Sequence, residues 1–295
     1  MKTISALVSM VCLAASCTLG GCAAPTNAAT PVHAPAPHGS RGTTLRLMTL
    51  NVAHGAKAPV PPAFYRRTTI EKNLSDIARV VRAEEPDVLA MQEADKRSFW
   101  SAWIDHVAWI GEEAGYENRL FGAHRDVAAG PFAMHHGTAL LSLLPLGNRA
   151  SKAFSTGWTD DKGFVFATIA VPGFEGRRVD IVSVHLDPIW EGRRRTQVAM
   201  MADALAERGA RPLVVMGDMN AQWAGGTEAI GKLVDALRVR PYLRADARAT
   251  YPAGSPSRRI DWILLSDDLE FVTYRTIEDV VSDHRGVIAD VRLAN

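Results

Sequence analysis

The residues best suited to chemistry begin with an aspartate and an asparagine, Asp218 and Asn220, which directly follow the apolar run Val214–Met216. A carboxylate and a carboxamide at the end of a buried segment can activate water and hold a phosphate or a metal ion. Alone the pair is a weak signal, because Asp and Asn also form ordinary turns after strands. Its meaning therefore depends on the residues at the ends of the other apolar segments.

Polar residues suited to the same chemistry recur at or beside the ends of other apolar segments. They are Asn51, Glu93, His185, Asp283 and His284. One rim of a sheet can present such side chains together. Asp261 lies instead inside the apolar run Ile260–Leu265, where a carboxylate is costly unless a cation or a donor meets it. A nearby histidine is the obvious candidate for that partner.

The elements that must position these side chains alternate between strands and helices from about residue 43. Apolar runs predict strands, and apolar residues at every third or fourth position predict helices. We predict strands at 45–52, 87–91, 119–123, 137–143, 163–171, 178–184, 212–216, 259–265 and 286–293, and helices from Thr68 to just before Pro86, at 99–114 and at about 191–208. The segment Thr68–Glu71 fits a capping box for the first helix.

Composition is that of one globular domain of catalytic size. Of 295 residues, 47% are hydrophobic and 22% are charged, which is typical of a soluble domain that buries a large hydrophobic core. The formal net charge of +1 provides no global field that would attract a polyanion such as duplex DNA. Nucleic acid is therefore neither required nor excluded as a partner.

The N-terminus has the pattern of a targeting segment. A basic start at Lys2 and an apolar stretch over residues 4–16, too short to span a bilayer, precede Leu19-Gly20-Gly21-Cys22. This pattern resembles a bacterial lipoprotein signal, which implies removal of residues 1–21 and attachment of lipid to Cys22. An ordinary secretory peptide that happens to contain a cysteine is the alternative.

A lipidated Cys22 would make the protein a membrane-anchored lipoprotein outside the cytoplasm, in the periplasm or at the cell surface. Residues 22–42, rich in Ala, Pro, Thr and Ser, cannot bury enough apolar surface to fold and are predicted to form a disordered tether. The other cysteines, Cys12 and Cys17, fall within the signal. The domain over residues 43–295 must then be stable without a disulfide.

From residue 43 to the end, short motifs in order give the chain a resemblance to the endonuclease/exonuclease/phosphatase superfamily. The motifs are Thr49–Val52, Pro86–Glu93, Gly137–Ser142, Ser183–Leu186, Gly217–Asn220, Arg259–Ile263 and Ser282–His284. Each is weak alone, whereas the ordered set is specific. The resemblance implies a four-layer α/β sandwich, in which two mixed β-sheets pack face to face with helices on the outside, and a site at one end.

The resemblance also implies a metal site. By motif position, Glu93 is the principal metal-binding carboxylate, and Asn51 and Asp283 complete or support the site. These hard oxygen ligands suit Mg²⁺, and Mn²⁺ or Ca²⁺ would fit a similar site.

The remaining motif residues are implied to be catalytic. Asp218 matches the residue that orients or deprotonates the attacking water, and Asn220 matches one that holds phosphate or positions that aspartate. His185 and His284 match histidines that donate hydrogen bonds to phosphoryl oxygens. Asp261 matches the carboxylate that keeps His284 protonated and oriented. No carboxylate that would support His185 is identifiable from the sequence.

The function implied is metal-dependent phosphoester hydrolysis, by a monomeric phosphodiesterase or phosphatase, through in-line attack of activated water. Its substrate would be a small molecule, a lipid headgroup or a nucleic acid. An extracytoplasmic DNase- or RNase-type nuclease is one alternative. A non-catalytic lipoprotein that binds phosphorylated ligands is an alternative of another class.

Overall fold

The computed structural model describes residues 42–57, 65–128, 130–154, 162–226 and 228–294. All of them belong to one structural unit, Ala36–Asn295. The predicted signal peptide, Cys22 and all of the predicted tether except Gly42 lie outside the described residues. No helix within the described ranges is long and apolar enough to cross a membrane.

Twelve strands and four α-helices form within these ranges. The strands are β1 Leu45–Asn51, β2 Val88–Asp95, β3 Asn118–Val127, β4 Met134–Ser142, β5 Gly147–Ala153, β6 Gly163–Ala170, β7 Arg178–His185, β8 Leu213–Asp218, β9 Val239–Pro241, β10 Asp261–Ser266, β11 Leu269–Thr276 and β12 Val287–Leu293. The helices are α1 Arg67–Glu84, α2 His106–Ala114, α3 Glu191–Leu205 and α4 Ala229–Leu237.

The strands form two mixed six-stranded sheets. The first has the order β11-β12-β1-β2-β4-β3, and the second has the order β5-β6-β7-β8-β10-β9. Each sheet contains one parallel pair, β1 with β2 and β7 with β8, while the other neighbours are antiparallel. The carboxyl ends of each parallel pair therefore lie at one rim of its sheet.

Three groups of buried apolar side chains define the layers. The first group lies between the sheets and joins side chains such as Leu47 of β1 and Val214 of β8. The second packs the other face of the first sheet against α1 and α2, as Leu74 does. The third packs the other face of the second sheet against α3 and α4, as Met201 does. The predicted four-layer α/β sandwich is therefore confirmed.

The register of the second sheet places three ionisable residues side by side. His185, the last residue of β7, pairs with Asp218, the last residue of β8, and Asp218 pairs with Asp261, the first residue of β10. Asn51 ends β1 in the facing sheet. The strand ends thus bring four of the predicted residues to the same end of the sandwich.

Two of the helix predictions are wrong in detail. The helix predicted over 99–114 is divided into a short 3₁₀ turn at Phe99–Ser101 and α2, which begins only after Asp105 caps it by accepting a hydrogen bond from Ala108 N at 2.9 Å. The capping box at Thr68 does not form, because α1 already begins at Arg67 and no side chain caps it. Glu71 instead accepts a hydrogen bond from Arg67 Nε at 2.8 Å.

Gly217 in β8 is a position where the fold leaves no room for a side chain. Its φ is +148°, and an added Cβ would lie 1.9 Å from the carbonyl oxygen of Val184 on the neighbouring strand β7. We predict that Gly217→Ala lowers the free energy of unfolding by about 2 to 4 kcal/mol, because strand β8 must move away from β7. Urea denaturation followed by circular dichroism measures this change.

The matched control is Gly192→Ala in α3, where an added Cβ meets no atom within 4 Å. Since alanine favours a helix over glycine, this variant should gain about 0.5 to 1 kcal/mol. Equal unfolding free energies for the two variants would contradict the close approach of β7 and β8.

Candidate active site

Asp218 lies at the centre of the site and is held by two hydrogen bonds. Its Oδ2 accepts from Asn51 Nδ2 at 3.0 Å, across the two sheets, and its Oδ1 accepts from the backbone N of Asn220 at 2.9 Å. Burial raises the pKa of Asp218; His284 opposes the shift and the Asp261 carboxylate adds to it. A carboxylate with a raised pKa is suited to accept a proton from water near neutral pH.

His284 is held between two buried carboxylates. Its Nδ1 lies 2.9 Å from Asp261 Oδ2, and its Nε2 lies 3.8 Å from Asp218 Oδ2. The ring of Tyr251 packs against the imidazole with 4.7 Å between centroids. Burial alone would lower the pKa of His284, but Asp261 and Asp218 outweigh it and raise the pKa to about 10. His284 is therefore an oriented imidazolium at neutral pH.

His185 differs from His284 in its protonation. Asn220, whose φ is +47°, points Nδ2 at the carbonyl oxygen of Leu186 at 3.0 Å and at His185 Nε2 at 3.2 Å. Burial and the nearby charge of Lys162 lower the pKa of His185 well below its usual value. The imidazole is therefore neutral.

The carboxylates nearest to Nε2 of His185 among the described residues are Asp218 Oδ2 at 3.5 Å and Glu93 Oε1 at 3.8 Å. Both carboxylates already belong to the predicted site. Among the described residues, no further aspartate or glutamate supports His185.

Glu93 projects from an irregularity in β2. The register of β2 with β4 shifts between Met91 and Ala94, and Glu93 itself has a φ of +53°. Nitrogen atoms surround its carboxylate, with His54 Nε2 at 3.5 Å, His185 Nε2 at 3.8 Å and Lys162 Nζ at 3.9 Å. Burial would raise its pKa, but His54 and Lys162 outweigh burial and hold the pKa at about 2. Glu93 is therefore ionised.

Glu93, Asp283 and Asn51 offer oxygen donors of the type that a hard divalent cation prefers. The Glu93 side chain keeps 25% of its surface exposed, and no described residue makes a hydrogen bond to its carboxylate shorter than 3.5 Å. Burial raises the pKa of Asp283, and the charge of Glu93 adds to that shift. Among the described residues, only Ala53 N donates to Asn51 Oδ1, at 2.9 Å, which leaves a lone pair for an ion. A cation would relieve the repulsion between the two carboxylates.

Sequence reasoning missed three residues beside Glu93. His54 lies in the turn after β1, Asp95 ends β2, and Lys162 directly precedes β6. His54 Nδ1 lies 2.9 Å from Asp95 Oδ1, and Asp95 with the smaller effect of Glu93 raises the pKa of His54 to about 9 despite burial. The sequence offered one signal for His54, namely its position three residues after Asn51 and just past the end of β1.

The loop after His185 is held by two side chains of α3, Arg194 and Gln197. Gln197 Oε1 accepts from the backbone N of Asp187 at 2.8 Å, and Arg194 donates to the carbonyl oxygen of Asp187 at 2.9 Å. Asp187 Oδ1 in turn accepts from the backbone N of Ile189 and of Trp190. Trp190 remains 58% exposed. The loop is thus fixed, while its aromatic side chain is open to solvent.

The chain matches a known protein family over most of its length. The sequence profile of the Endonuclease/Exonuclease/phosphatase family matches residues 48–284. The uncharacterized protein YbhP of Escherichia coli (strain K12) is 27% identical over 264 residues, which cover 85% of this chain and 97% of YbhP.

Solved structures share the fold. An endonuclease/exonuclease/phosphatase from Beutenbergia cavernae superposes with a TM-score of 0.66 and 21% identity, covering 86% of this chain and 72% of that one. A mannosyl-6-phosphatase from Bacteroides thetaiotaomicron superposes with a TM-score of 0.64 and 14% identity, covering 85% of this chain and 100% of that one.

The pairing of His284 with Asp261 predicts a pH dependence. Since the folded-state pKa of about 10 exceeds the ordinary 6.5, the charged form is favoured in the folded protein, and its stabilising contribution is lost as the pH rises towards 10. Asp261→Asn removes the negative charge that raises the pKa. We expect the His284 titration and the alkaline limb of the pH–rate profile to move down by at least about one pH unit.

Imidazole NMR of the metal-free protein and rates across the pH range measure the two shifts. Asp126→Asn is the control, because Asp126 Oδ1 lies 2.5 Å from Nδ1 of the partly exposed His135, away from the site. An unchanged His284 titration in Asp261→Asn would contradict the assignment.

Proposed function

Because the chain belongs to the endonuclease/exonuclease/phosphatase family, whose members hydrolyse phosphoester bonds with a divalent metal ion, we propose that it is a Mg²⁺-dependent phosphoester hydrolase outside the cytoplasm. The observation that carries the proposal is the buried Asp218, fixed by Asn51 and Asn220 beside the imidazolium of His284. A proton acceptor and a cationic donor that face the same space are what in-line attack of water on phosphorus requires.

Each of the site residues has a separate task in the proposed reaction. Asp218 orients the attacking water and takes its proton, and Asn220 keeps Asp218 and His185 in place. His284 donates from Nε2 to a phosphoryl oxygen as negative charge develops there, while Asp261 holds the ring and its charge.

Glu93, Asp283 and Asn51 would hold the metal ion. When bound, the ion supplies Lewis-acid stabilisation of the phosphoryl group. Oxygen donors of this kind favour Mg²⁺, and Mn²⁺ or Ca²⁺ suit the same donors.

A nuclease is the second candidate, and one cavity favours it. A cavity of about 400 Å³ adjoins Asn220 and the start of α3 at Glu191, the residue after Trp190. Its lining includes Glu191, Arg194, Arg195, Asn220, Gln222, Glu228, Arg258 and Ile260. The three arginines outnumber the two glutamates, and the exposed indole of Trp190 offers a surface on which a base could stack. A non-catalytic binding lipoprotein is less well supported, because it would not need the water-activating Asp218.

An activity panel tests the proposed hydrolase. We expect the full chain to hydrolyse at least one substrate among p-nitrophenyl phosphate, bis-p-nitrophenyl phosphate, inositol phosphates, sphingomyelin, DNA and RNA, with activity lost in EDTA and restored by Mg²⁺. Asp218→Asn should lower kcat by at least about 1,000-fold, since removing a central catalytic group has effects of this size.

The matched control is Asp180→Asn. Asp180 is a fully buried aspartate in β7 whose carboxylate pairs with Arg208 and Arg211 rather than with site residues. This variant should lose stability but keep the wild-type kcat of the folded fraction. Wild-type kcat in Asp218→Asn would overturn the mechanism.

The location outside the cytoplasm is tested through Cys22. We propose that lipid on Cys22 anchors the protein at a membrane as a monomer, since more than one acyl chain binds a bilayer stably. Cys22→Ser should abolish labelling by radioactive palmitate and move the protein from the membrane to the soluble fraction. Cys17→Ser, in the segment predicted to be removed, is the control and should stay membrane-bound. Membrane retention of Cys22→Ser without label would contradict the anchor.

A further inference from the structure

The loop Thr250–Arg258 is fastened to the segment that carries His284. Ala253 N donates to the carbonyl oxygen of Asp283 at 2.7 Å, and Arg285 N donates to the carbonyl oxygen of Thr250 at 2.8 Å. Arg285 Nε also donates to the carbonyl oxygen of Ala253 at 2.8 Å. Hydrogen bonds to the residues on both sides of His284 thus fix the position of this loop beside the imidazole.

Ring contacts connect the loop to the imidazole and place an arginine beyond it. The rings of Tyr251 and His284 have 4.7 Å between centroids, and Cζ of Arg258 lies 4.7 Å from the centroid of Tyr251. The guanidinium therefore lies no further from the imidazole than twice that separation. Arg258 also lines the cavity that adjoins Asn220.

Arg258 differs from the other two arginines of this cavity in its partners. Arg194 and Arg195 both pair with Glu191, at 2.9 and 3.1 Å. Among the described residues, the side chain of Arg258 has its contact with the ring of Tyr251 but no ion pair and no hydrogen bond. The positive charge of Arg258 is therefore available to a ligand in the cavity.

The second carboxylate of the cavity, Glu228, is turned into the protein. This residue is only 9% exposed, its Oε1 is buried, and its Oε2 accepts a hydrogen bond from Gly226 N at 3.2 Å. Arg258 is exposed by contrast. A ligand that enters the cavity from solvent therefore meets the guanidinium of Arg258 more readily than the carboxylate of Glu228.

We propose that Arg258 is a specificity-determining residue, which binds a second phosphate group on the alcohol part of the substrate. The inference rests on the proposed hydrolase and narrows its substrates to phosphoesters with at least two phosphate groups. A guanidinium presents paired N–H donors that match two oxygens of one phosphate. Because Tyr251 already holds the guanidinium in place, less conformational freedom is lost on binding.

The position of Arg258 suits two phosphates on one alcohol. When these are attached to neighbouring or next-but-one carbons, five or six bonds of about 1.5 Å join the phosphorus atoms, which lie within about 8 Å of each other. His284 would donate to the scissile phosphate and Arg258 to the second one. Both a nucleic acid strand and a multiply phosphorylated small alcohol contain such a pair.

Two pairs of substrates test the proposal on the full chain in Mg²⁺. The members of each pair differ by one phosphate: the dinucleotide TpT and its 5′-phosphorylated form pTpT, and inositol 4-phosphate and inositol 4,5-bisphosphate. In at least one pair, kcat/KM of the wild type should be at least about tenfold higher for the member with the additional phosphate. An advantage in the first pair identifies a strand as the source, and one in the second pair a small alcohol.

Arg258→Met removes the guanidinium but keeps an aliphatic stem over Tyr251. The advantage of the additional phosphate should fall below about threefold, through a higher KM, while kcat/KM for the other member changes less than about threefold. Arg258→Lys keeps the charge without the planar pair of donors and should retain part of the advantage. Equal losses for both members of each pair would show a structural role and contradict the proposal.

The matched control is Arg244→Met. Arg244 is another exposed arginine that lies over a tyrosine, with 5.8 Å between its Cζ and the ring centroid of Tyr242, but it does not line the cavity. This variant should keep the full advantage of the additional phosphate. A wild type with no such advantage in either pair would overturn the role of Arg258.

Calorimetry separates this inference from the proposed function. Asp218→Asn, which removes the group that acts on water, should bind the member with the additional phosphate at least about tenfold more tightly in at least one pair. Adding Arg258→Met should abolish that difference, and equal affinities within both pairs would overturn the inference. If no substrate is hydrolysed, the proposed hydrolase fails, and this difference in binding alone decides whether Arg258 holds a second phosphate.

Discussion

Two buried carboxylates on adjacent strands impose the main constraint on this protein. Asp218 and Asp261 pair across β8 and β10, and both are almost completely removed from solvent. Two like charges in that position are strongly unfavourable unless a cation meets them. His284 is that cation, so the loop that carries it must be held closely. Ser282 Oγ holds it by donating to the carbonyl oxygen of Asn51 at 2.6 Å.

The same constraint joins the two sheets. The Asn51 side chain crosses from the first sheet to Asp218 in the second, and deeper in the sandwich Gln92 Nε2 donates to Ser183 Oγ at 3.1 Å. Buried polar links of this kind are favourable only when each partner is satisfied, which fixes the relative position of the sheets near the site. The rim is consequently preorganised, as catalysis by oriented groups requires.

The strand-borne part of the site was predictable from sequence, because polar residues at the ends of apolar runs must meet at a rim. Asn51, His185 and Asp218 lie there for that reason. Asp261 was expected inside an apolar run, but it is the first residue of β10 and pairs with Asp218 at the rim. The exposed strand β5, Gly147–Ala153, was missed because its polar composition has no apolar alternation. His54 and Lys162 were missed for another reason. They come from a turn and a strand start, where no periodic pattern predicts the direction of a side chain.

The difference between residues on strands and residues outside strands also matters for function. Strands supply Asp218, which acts on water, and Asp261, which holds His284, because side chains on strands are positioned more precisely than side chains on loops. Segments outside the strands supply His54, Lys162 and Trp190, and such segments vary without disturbing the core. A fold of this kind therefore specifies the chemistry more firmly than the substrate. The substrate must be inferred from the charges and donors that surround the shared centre, and here they include the guanidinium of Arg258 in the cavity beside Asn220.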